Sequence, residues 1–188
     1  MSSSEFCRSK DLTMKQTVTM REASISDRDA VHSVYVNAFP ENESEAVAKL
    51  AVNLLAEASI PRTFTLVAEV DGAVVGHVGF SPVTNSSSGE LTGYILAPLA
   101  IKPEFQKQKI GSRLIEYGLQ QLSDEGVCLL FVYGDPDYYS RFGFSTDIAA
   151  GFTPPYTLEY PFGWQAVAIN DCGEETPSAA ITCVDSLS

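Results

Sequence analysis

Positive charge is what this chain has least of. Twelve lysines and arginines stand against 24 aspartates and glutamates, a formal net charge of −12. A pI near 4.4 excludes a general nucleic-acid-binding surface, which needs a basic face to set against phosphates. Histidine is scarcer still, His32 and His77 alone, so a histidine-based metal site is poorly supplied. The four cysteines, Cys7, Cys128, Cys172 and Cys183, form no C-x-x-C pair and have no histidine at ligand spacing. They read as free thiols in a reducing compartment, and no metal is expected. No apolar run approaches the length of a membrane span, and the N-terminus MSSSEFCRSK lacks the apolar core of a signal peptide. Together these absences predict a cytoplasmic protein with neither a membrane nor a nucleic-acid partner.

The few cations are not evenly spread. Lys102, Lys107, Lys109 and Arg113, one third of all Lys and Arg, fall within a dozen residues and are opposed only by Glu104. They lie where an apolar strand, Pro98-Leu99-Ala100-Ile101, crosses a turn at Pro103 and becomes a helix beginning near Lys109-Ile110-Gly111-Ser112. A helix N-terminus has backbone N–H groups without intrahelical partners and the positive end of the dipole. Strand, glycine, serine and cations in this order predict a phosphate site.

The rest of the chain has the composition of a single globular domain, with 188 residues, 45% hydrophobic and 19% charged. Residues 1–15 are Ser-rich and aperiodic and read as a tail. The domain proper is expected over 16–170, and 171–188 reads as an acidic, largely loose tail. Alternation predicts a strand over 16–23. Ser26 with Asp29 three residues on predicts a helix start, the helix running to about Ala38. A second helix is expected over 43–58 from Val47, Leu50, Ala51, Leu54 and Leu55 at helical spacing. Asp71-Gly72 marks a hairpin between strands 64–70 and 73–82. A long strand over 90–101 and a helix over 109–123 follow, the helix closed by Asp124-Glu125-Gly126. Val127 to Tyr133 is apolar throughout and reads as a strand buried on both faces. Pro136 opens a short helix that Gly143 ends, and two last strands are expected from Phe144 and over 162–170. The fold class is therefore α/β (α+β): a mixed sheet with antiparallel hairpins in front and a strand–helix crossover in the middle.

Two stretches resemble the signatures of the GNAT superfamily of N-acetyltransferases. Gln106-Lys107-Gln108-Lys109-Ile110-Gly111, following Leu99-Ala100-Ile101, is similar to its acyl-CoA-binding pattern Q/R-x-x-G-x-G/A. Gly134-Asp135-Pro136-Asp137-Tyr138-Tyr139-Ser140-Arg141-Phe142-Gly143-Phe144 is similar to its aromatic second signature, in the form seen in a bacterial YhbS-like subgroup. The resemblance spans about residues 17–170. It implies a mostly antiparallel sheet of about six to seven strands flanked by about four helices. It also implies acetyl-CoA as co-substrate and transfer of its acetyl group to a primary amine, by direct attack in a ternary complex. Backbone groups of Leu99, Ala100 and Ile101 would hold the pantetheine arm, and Gln106, Lys107, Gln108, Lys109, Ile110, Gly111 and Ser112 the pyrophosphate. Tyr139 would protonate the departing thiolate, with Tyr138 the weaker alternative. Pro98 removes a ladder donor and predicts a bulge or splay beside the site.

One position departs from the pattern, Lys109 standing where the first glycine belongs. Its side chain either loosens the phosphate loop or adds an ionic contact to it. The general base is open among Glu41, Glu43, Glu90, Tyr94, His77 and a water chain. Asp135 and Arg141 read as local turn residues. The acceptor would be shaped by loops around 39–43, 85–89 and 151–160. A homodimer is left open, and a catalytically silent acyl-CoA-binding module is the rival reading.

Overall fold

The computed structural model describes residues 16–171, 176–184 and 187. The expected tail over 1–15 lies outside them. The order is β1 (Val18–Glu22), α1 (Arg28–Ala38), α2 (Glu41–Leu55), β2 (Phe64–Val70), β3 (Ala73–Asn85), β4 (Leu91–Ile101) and α3 (Ile110–Asp124). Then come β5 (Leu129–Tyr133), α4 (Pro136–Tyr139), α5 (Thr146–Ala149), β6 (Phe152–Thr153), β7 (Trp164–Ala168) and β8 (Ala179–Thr182). The strands lie in the order β1-β2-β3-β4-β5-β7, with β8 joining the far end of β3 and pairing with β6. All neighbours along that path are antiparallel except β4 and β5.

The sheet is covered on both faces, which is why its strands carry apolar residues on both sides. On one face α3 lays Ile110, Leu114, Ile115 and Leu122 over Leu66, Val78, Phe80 and Leu96. On the other, α1 and α2 bring Val31, Val34, Tyr35, Ala48 and Ala51 against Val67, Val74 and Ala100. A third cluster, with Phe131 stacked on Trp164 at 5.3 Å, holds β5, β7 and the short elements after them. Among the described residues no helix is long and apolar enough to cross a membrane.

Several expectations shift. The capping box before α1 uses Ser24 and Asp27, not Ser26 and Asp29. Asp27 wins because it also takes both terminal nitrogens of Arg21 at 2.8 Å, fixing the entry to the helix against β1. Helix α2 starts at Glu41, directly after Pro40, so the loop expected around 39–43 shrinks to Phe39 and Pro40. After Phe144 the chain forms the one-turn helix α5 rather than a strand. Ser145 caps it by accepting the Asp147 N–H, and only the single bridge to Ala166 remains of the expected pairing. The tail expected to be loose contains β8, whose Ile181 is buried against the third cluster. The free-thiol expectation fails at Cys128, which is disulfide-bonded. The cysteines therefore do not point to a reducing compartment. Cys183 is free and buried, and Cys7 and Cys172 lie outside the described residues.

Candidate active site

Everything at the site follows from one break in the sheet. Strands β4 and β5 pair at Tyr94 with Leu130 and Ile95 with Phe131, and no further. Beyond Ile95 the two strands part, and β4 continues to Ile101 along β3 alone. Opposite Gly79 the β3–β4 register slips by one residue, between Val78 paired with Leu99 and Phe80 paired with Leu96. The extra residue falls at Ala97-Pro98, the bulge that Pro98 predicts. Gly79 permits it, since a Cβ there would lie 2.6 Å from the Ala97 carbonyl oxygen. The bulge leaves residues 97–99 half-exposed in the opening, with main-chain groups on the side that β5 has vacated.

Two hollows flank that stretch of β4. One, of about 530 Å³, is lined by Ile101, Phe105, Gln106, Lys107, Lys109, Ile110, Gly111, Ser112, Tyr138 and Arg141. Its floor is the start of α3, where the amides of Ile110, Gly111 and Ser112 precede the first intrahelical bond, from Arg113 N–H to the Lys109 carbonyl. Free amides, the helix dipole and three cations make a site that fits a pyrophosphate. Gly111 faces Tyr138; a Cβ on it would lie 3.0 Å from the phenol oxygen.

The loop before α3 turns through two left-handed residues, Lys107 at φ 60° and Lys109 at φ 62°. Lys109 thus keeps the backbone conformation that a glycine would supply there, at a cost of roughly 1–2 kcal/mol. Gln106 and Gln108 brace this turn with their side-chain amides, donating to the carbonyls of Ile101 at 2.9 Å and Glu104 at 3.1 Å. Gln106 lines the hollow and Gln108 does not.

Two of the four clustered cations are elsewhere. Arg113 donates to the Val18 carbonyl at 3.0 Å, tying α3 to β1, and Lys102 is outside the lining. Arg141 takes their place. Expected to serve only its own turn, it lies over the Tyr138 ring at 4.4 Å and donates to the Tyr138 carbonyl, with its guanidinium side on the hollow. The signal was present in the second signature, where Arg141 follows Tyr138 by three residues on a helical turn. Asp135 is the turn residue it was expected to be, capping α4 by accepting the Asp137 N–H at 3.0 Å.

The other hollow, of about 350 Å³, is lined by Phe39, Val47, Leu96, Ala97, Pro98, Leu99, Tyr133, Tyr139 and Tyr156. The adjacent tyrosines of α4 are therefore divided between the hollows, Tyr138 toward the cations and Tyr139 toward the bulge. The Tyr139 ring lies on Gly134, where a Cβ would come within 2.4 Å of it, and packs edge-on against Phe144 at 5.6 Å. Burial pushes its phenol well above the ordinary tyrosine value, with Tyr138 adding to the shift, so it keeps its proton throughout the neutral range. Leu99 faces this hollow and Ile101 the other. Ala100 between them is buried under α1, leaving it only main-chain atoms to offer.

The candidate bases are not in the opening. His77 is fully buried on β3, its Nδ1 2.8 Å from the Tyr35 hydroxyl, and Nε2 has no partner. Burial pushes its imidazole down to about 3, so it stays neutral where an amine would need a base. Tyr94 donates to the Arg62 carbonyl at 3.0 Å on the α3 face. Glu90 accepts from the Ser88 hydroxyl in the β3–β4 loop. Glu41 and Glu43 are exposed in the first turn of α2 and do not line the hollow. Of the loops expected to shape an acceptor, 39–43 contributes Phe39 and 151–160 contributes Tyr156, while 85–89 contributes nothing. No cluster of His, Cys, Asp or Glu able to hold a metal occurs among the described residues.

Known proteins resemble this chain in sequence and fold. The family model of the acetyltransferase (GNAT) family matches residues 28–144. The chain is 32% identical over 166 residues to the uncharacterised N-acetyltransferase YjhQ of Escherichia coli, covering 85% of this chain and 88% of that one. It is 39% identical over 103 residues to E. coli YhbS, covering 54% and 60%. The solved structure of YhbS in complex with CoA superposes with a TM-score of 0.79 at 25% identity over 92% of each chain. A GNAT acetyltransferase from Brucella melitensis in complex with acetyl-CoA gives 0.72 at 27% identity, over 92% of this chain and 99% of that one. A parting of β4 from β5 above a cation-lined helix start is thus found in a chain that belongs to the GNAT family of acetyltransferases.

Proposed function

We propose that the protein transfers the acetyl group of acetyl-CoA to a primary amine by direct attack within a ternary complex. The observation that carries this reading is the opened stretch of β4, which joins a cationic hollow to a neutral one holding a protonated phenol. Acetyl-CoA supplies the activated acyl group. Lys107, Lys109, Arg141 and the first amides of α3 hold its diphosphate. Main-chain groups of residues 99–101 take the pantetheine arm as a strand would, in the place β5 has left. A β4 N–H in the bulge donates to the carbonyl oxygen as it gains charge. The amine nitrogen bonds to the carbonyl carbon, the carbon–sulfur bond breaks, and Tyr139 gives its proton to the sulfur. The amine's own proton leaves by water, because the described residues put neither carboxylate nor imidazole in the neutral hollow.

The test is thiol release from acetyl-CoA with a panel of amines. Transfer is expected, with kcat/KM rising with pH up to the acceptor's own pKa, since only the free amine attacks. CoA binding without thiol release from any amine would favour a silent acyl-CoA-binding module instead.

Lys109 gives a prediction with two signs. Lys109→Gly relieves the left-handed strain, so the variant should be more stable by about 1 kcal/mol. That raises the midpoint of thermal unfolding by about 2–4 °C in a domain of this size. CoA should nevertheless bind several-fold more weakly and with a shallower salt dependence, because a cation has left the phosphates. Tighter CoA binding in Lys109→Gly would mean that the lysine obstructs the loop rather than serving it.

A further inference from the structure

The neutral hollow is an anomaly in so acidic a protein. Among the described residues no carboxylate lines it, and no lysine, arginine or histidine does either. Its walls beyond the bulge are Phe39, Val47, Tyr133 and Tyr156, with Tyr133 and Tyr156 meeting edge-to-face at 6.4 Å. Tyr133 is held from behind by the Tyr160 N–H, which donates to its hydroxyl at 3.0 Å. Phe39 is held by stacking on the buried Tyr35 at 5.9 Å. These are fixed aromatic surfaces with no ionic partner for a second cation, and an uncompensated charge drawn in among them would lose its hydration.

The apolar lining does not stop at Tyr156. On its other side lies a second, open hollow of about 580 Å³, where Thr153 and Thr157 stand among Pro154, Pro155, Leu158, Pro161 and Trp164. Tyr156 lines both and is the one described residue that their linings share.

Resting on the transferase reading above, we infer that the acceptor is a monoamine carried on an aromatic or similarly apolar body. Phe39 and Tyr156 are its specificity-determining residues, and Tyr156 sets how long that body can be. The nitrogen reaches the bulge as a single free amine, while the body lies against Phe39, Tyr133 and Tyr156. Acceptors with several ammonium groups, such as polyamines and amino sugars, find no carboxylate among the described lining to pair with. A hollow of about 350 Å³ is at the lower end for a small-molecule site and suits one ring. Removing the Tyr156 side chain would join it to the second hollow.

The experiment compares kcat/KM for 2-phenylethylamine, 4-phenylbutylamine, spermidine, kanamycin and a short peptide with a free N-terminus, using wild type, Tyr156→Ala and Tyr156→Phe. Wild type should favour 2-phenylethylamine over spermidine, kanamycin and the peptide by about tenfold or more. Tyr156→Ala should shift the ratio of 4-phenylbutylamine to 2-phenylethylamine upward by about tenfold. Tyr156→Phe, which keeps the ring, should retain the wild-type ranking. A preference for spermidine, kanamycin or the peptide overturns the inference, as does a Tyr156→Ala enzyme whose ranking is unchanged. Binding of N-acetyl-2-phenylethylamine, measured by calorimetry, reads the hollow without the chemistry. If no amine is acetylated but this product analogue binds, and binds more weakly to Tyr156→Ala, the transferase reading fails and the assignment of the hollow stands. If it does not bind, the assignment fails whatever the activity.

Discussion

Tyr139→Phe is expected to lower kcat by about 10²–10⁴-fold while leaving the CoA dissociation constant near that of wild type. The ring is positioned by packing alone, on Gly134, against Phe144 and against Tyr138, so the substitution keeps the geometry and removes only the hydroxyl. Burial raises its pKa, so in the resting protein the phenol is protonated near neutrality and enters the reaction as an acid. Tyr138→Phe is the matching control. Its ring lies beneath Arg141 at the cationic hollow and does not line the neutral one, and loss of its hydroxyl should leave kcat within a few-fold of wild type. Rapid-quench or continuous thiol assays at saturating acetyl-CoA distinguish the two. Turnover in Tyr139→Phe equal to wild type would take Tyr139 out of the mechanism and return the thiolate's proton to solvent.

Gly118→Ala is the second large effect, and its direction runs against helix propensity. In the middle of an exposed helix such a change stabilises by roughly 0.5–1 kcal/mol. Gly118 instead faces the sheet, where a Cβ would lie 2.0 Å from Cζ of Phe80 and within 2.8 Å of two further ring atoms. Phe80 cannot retreat, being fully buried and stacked on Phe64 at 5.0 Å. Helix α3 must lift or the ring pair must tilt, and overpacking of this kind costs about 3 kcal/mol. That corresponds to a fall of about 6–12 °C in the thermal midpoint. Because α3 also presents the free amides at the cationic hollow, CoA affinity should fall with it. Urea denaturation of the two proteins measures the first effect and CoA titration the second. A variant as stable as wild type would show that α3 is not seated on Phe80.

Helix α3 shows how far the chain could be read without coordinates. Its start, its cations and the strand before it were legible because each is a local property. Apolar periodicity, a Pro-led turn, Gly111 and charge contrast all lie within twenty consecutive residues. The same residues do not say which cations face the ligand. Arg113 turns to β1 and Lys102 stays outside, while Arg141, thirty residues on, comes to the hollow. Likewise the contact of Gly118 with Phe80 joins α3 to β3 and is set by neither segment alone.

By itself the sequence determined the order of strands and helices as far as α4 and the cation-rich start of α3. It also determined the bulge at Pro98, because backbone donors, dihedral limits and apolar period are set within a few residues. The tertiary structure alone decided that β4 leaves β5 after Ile95 and that Tyr138 and Tyr139 serve different hollows. It also made β8 a strand and buried His77 beyond use as a base. Each of these depends on which distant segments meet, and burial and desolvation exist only once they have met.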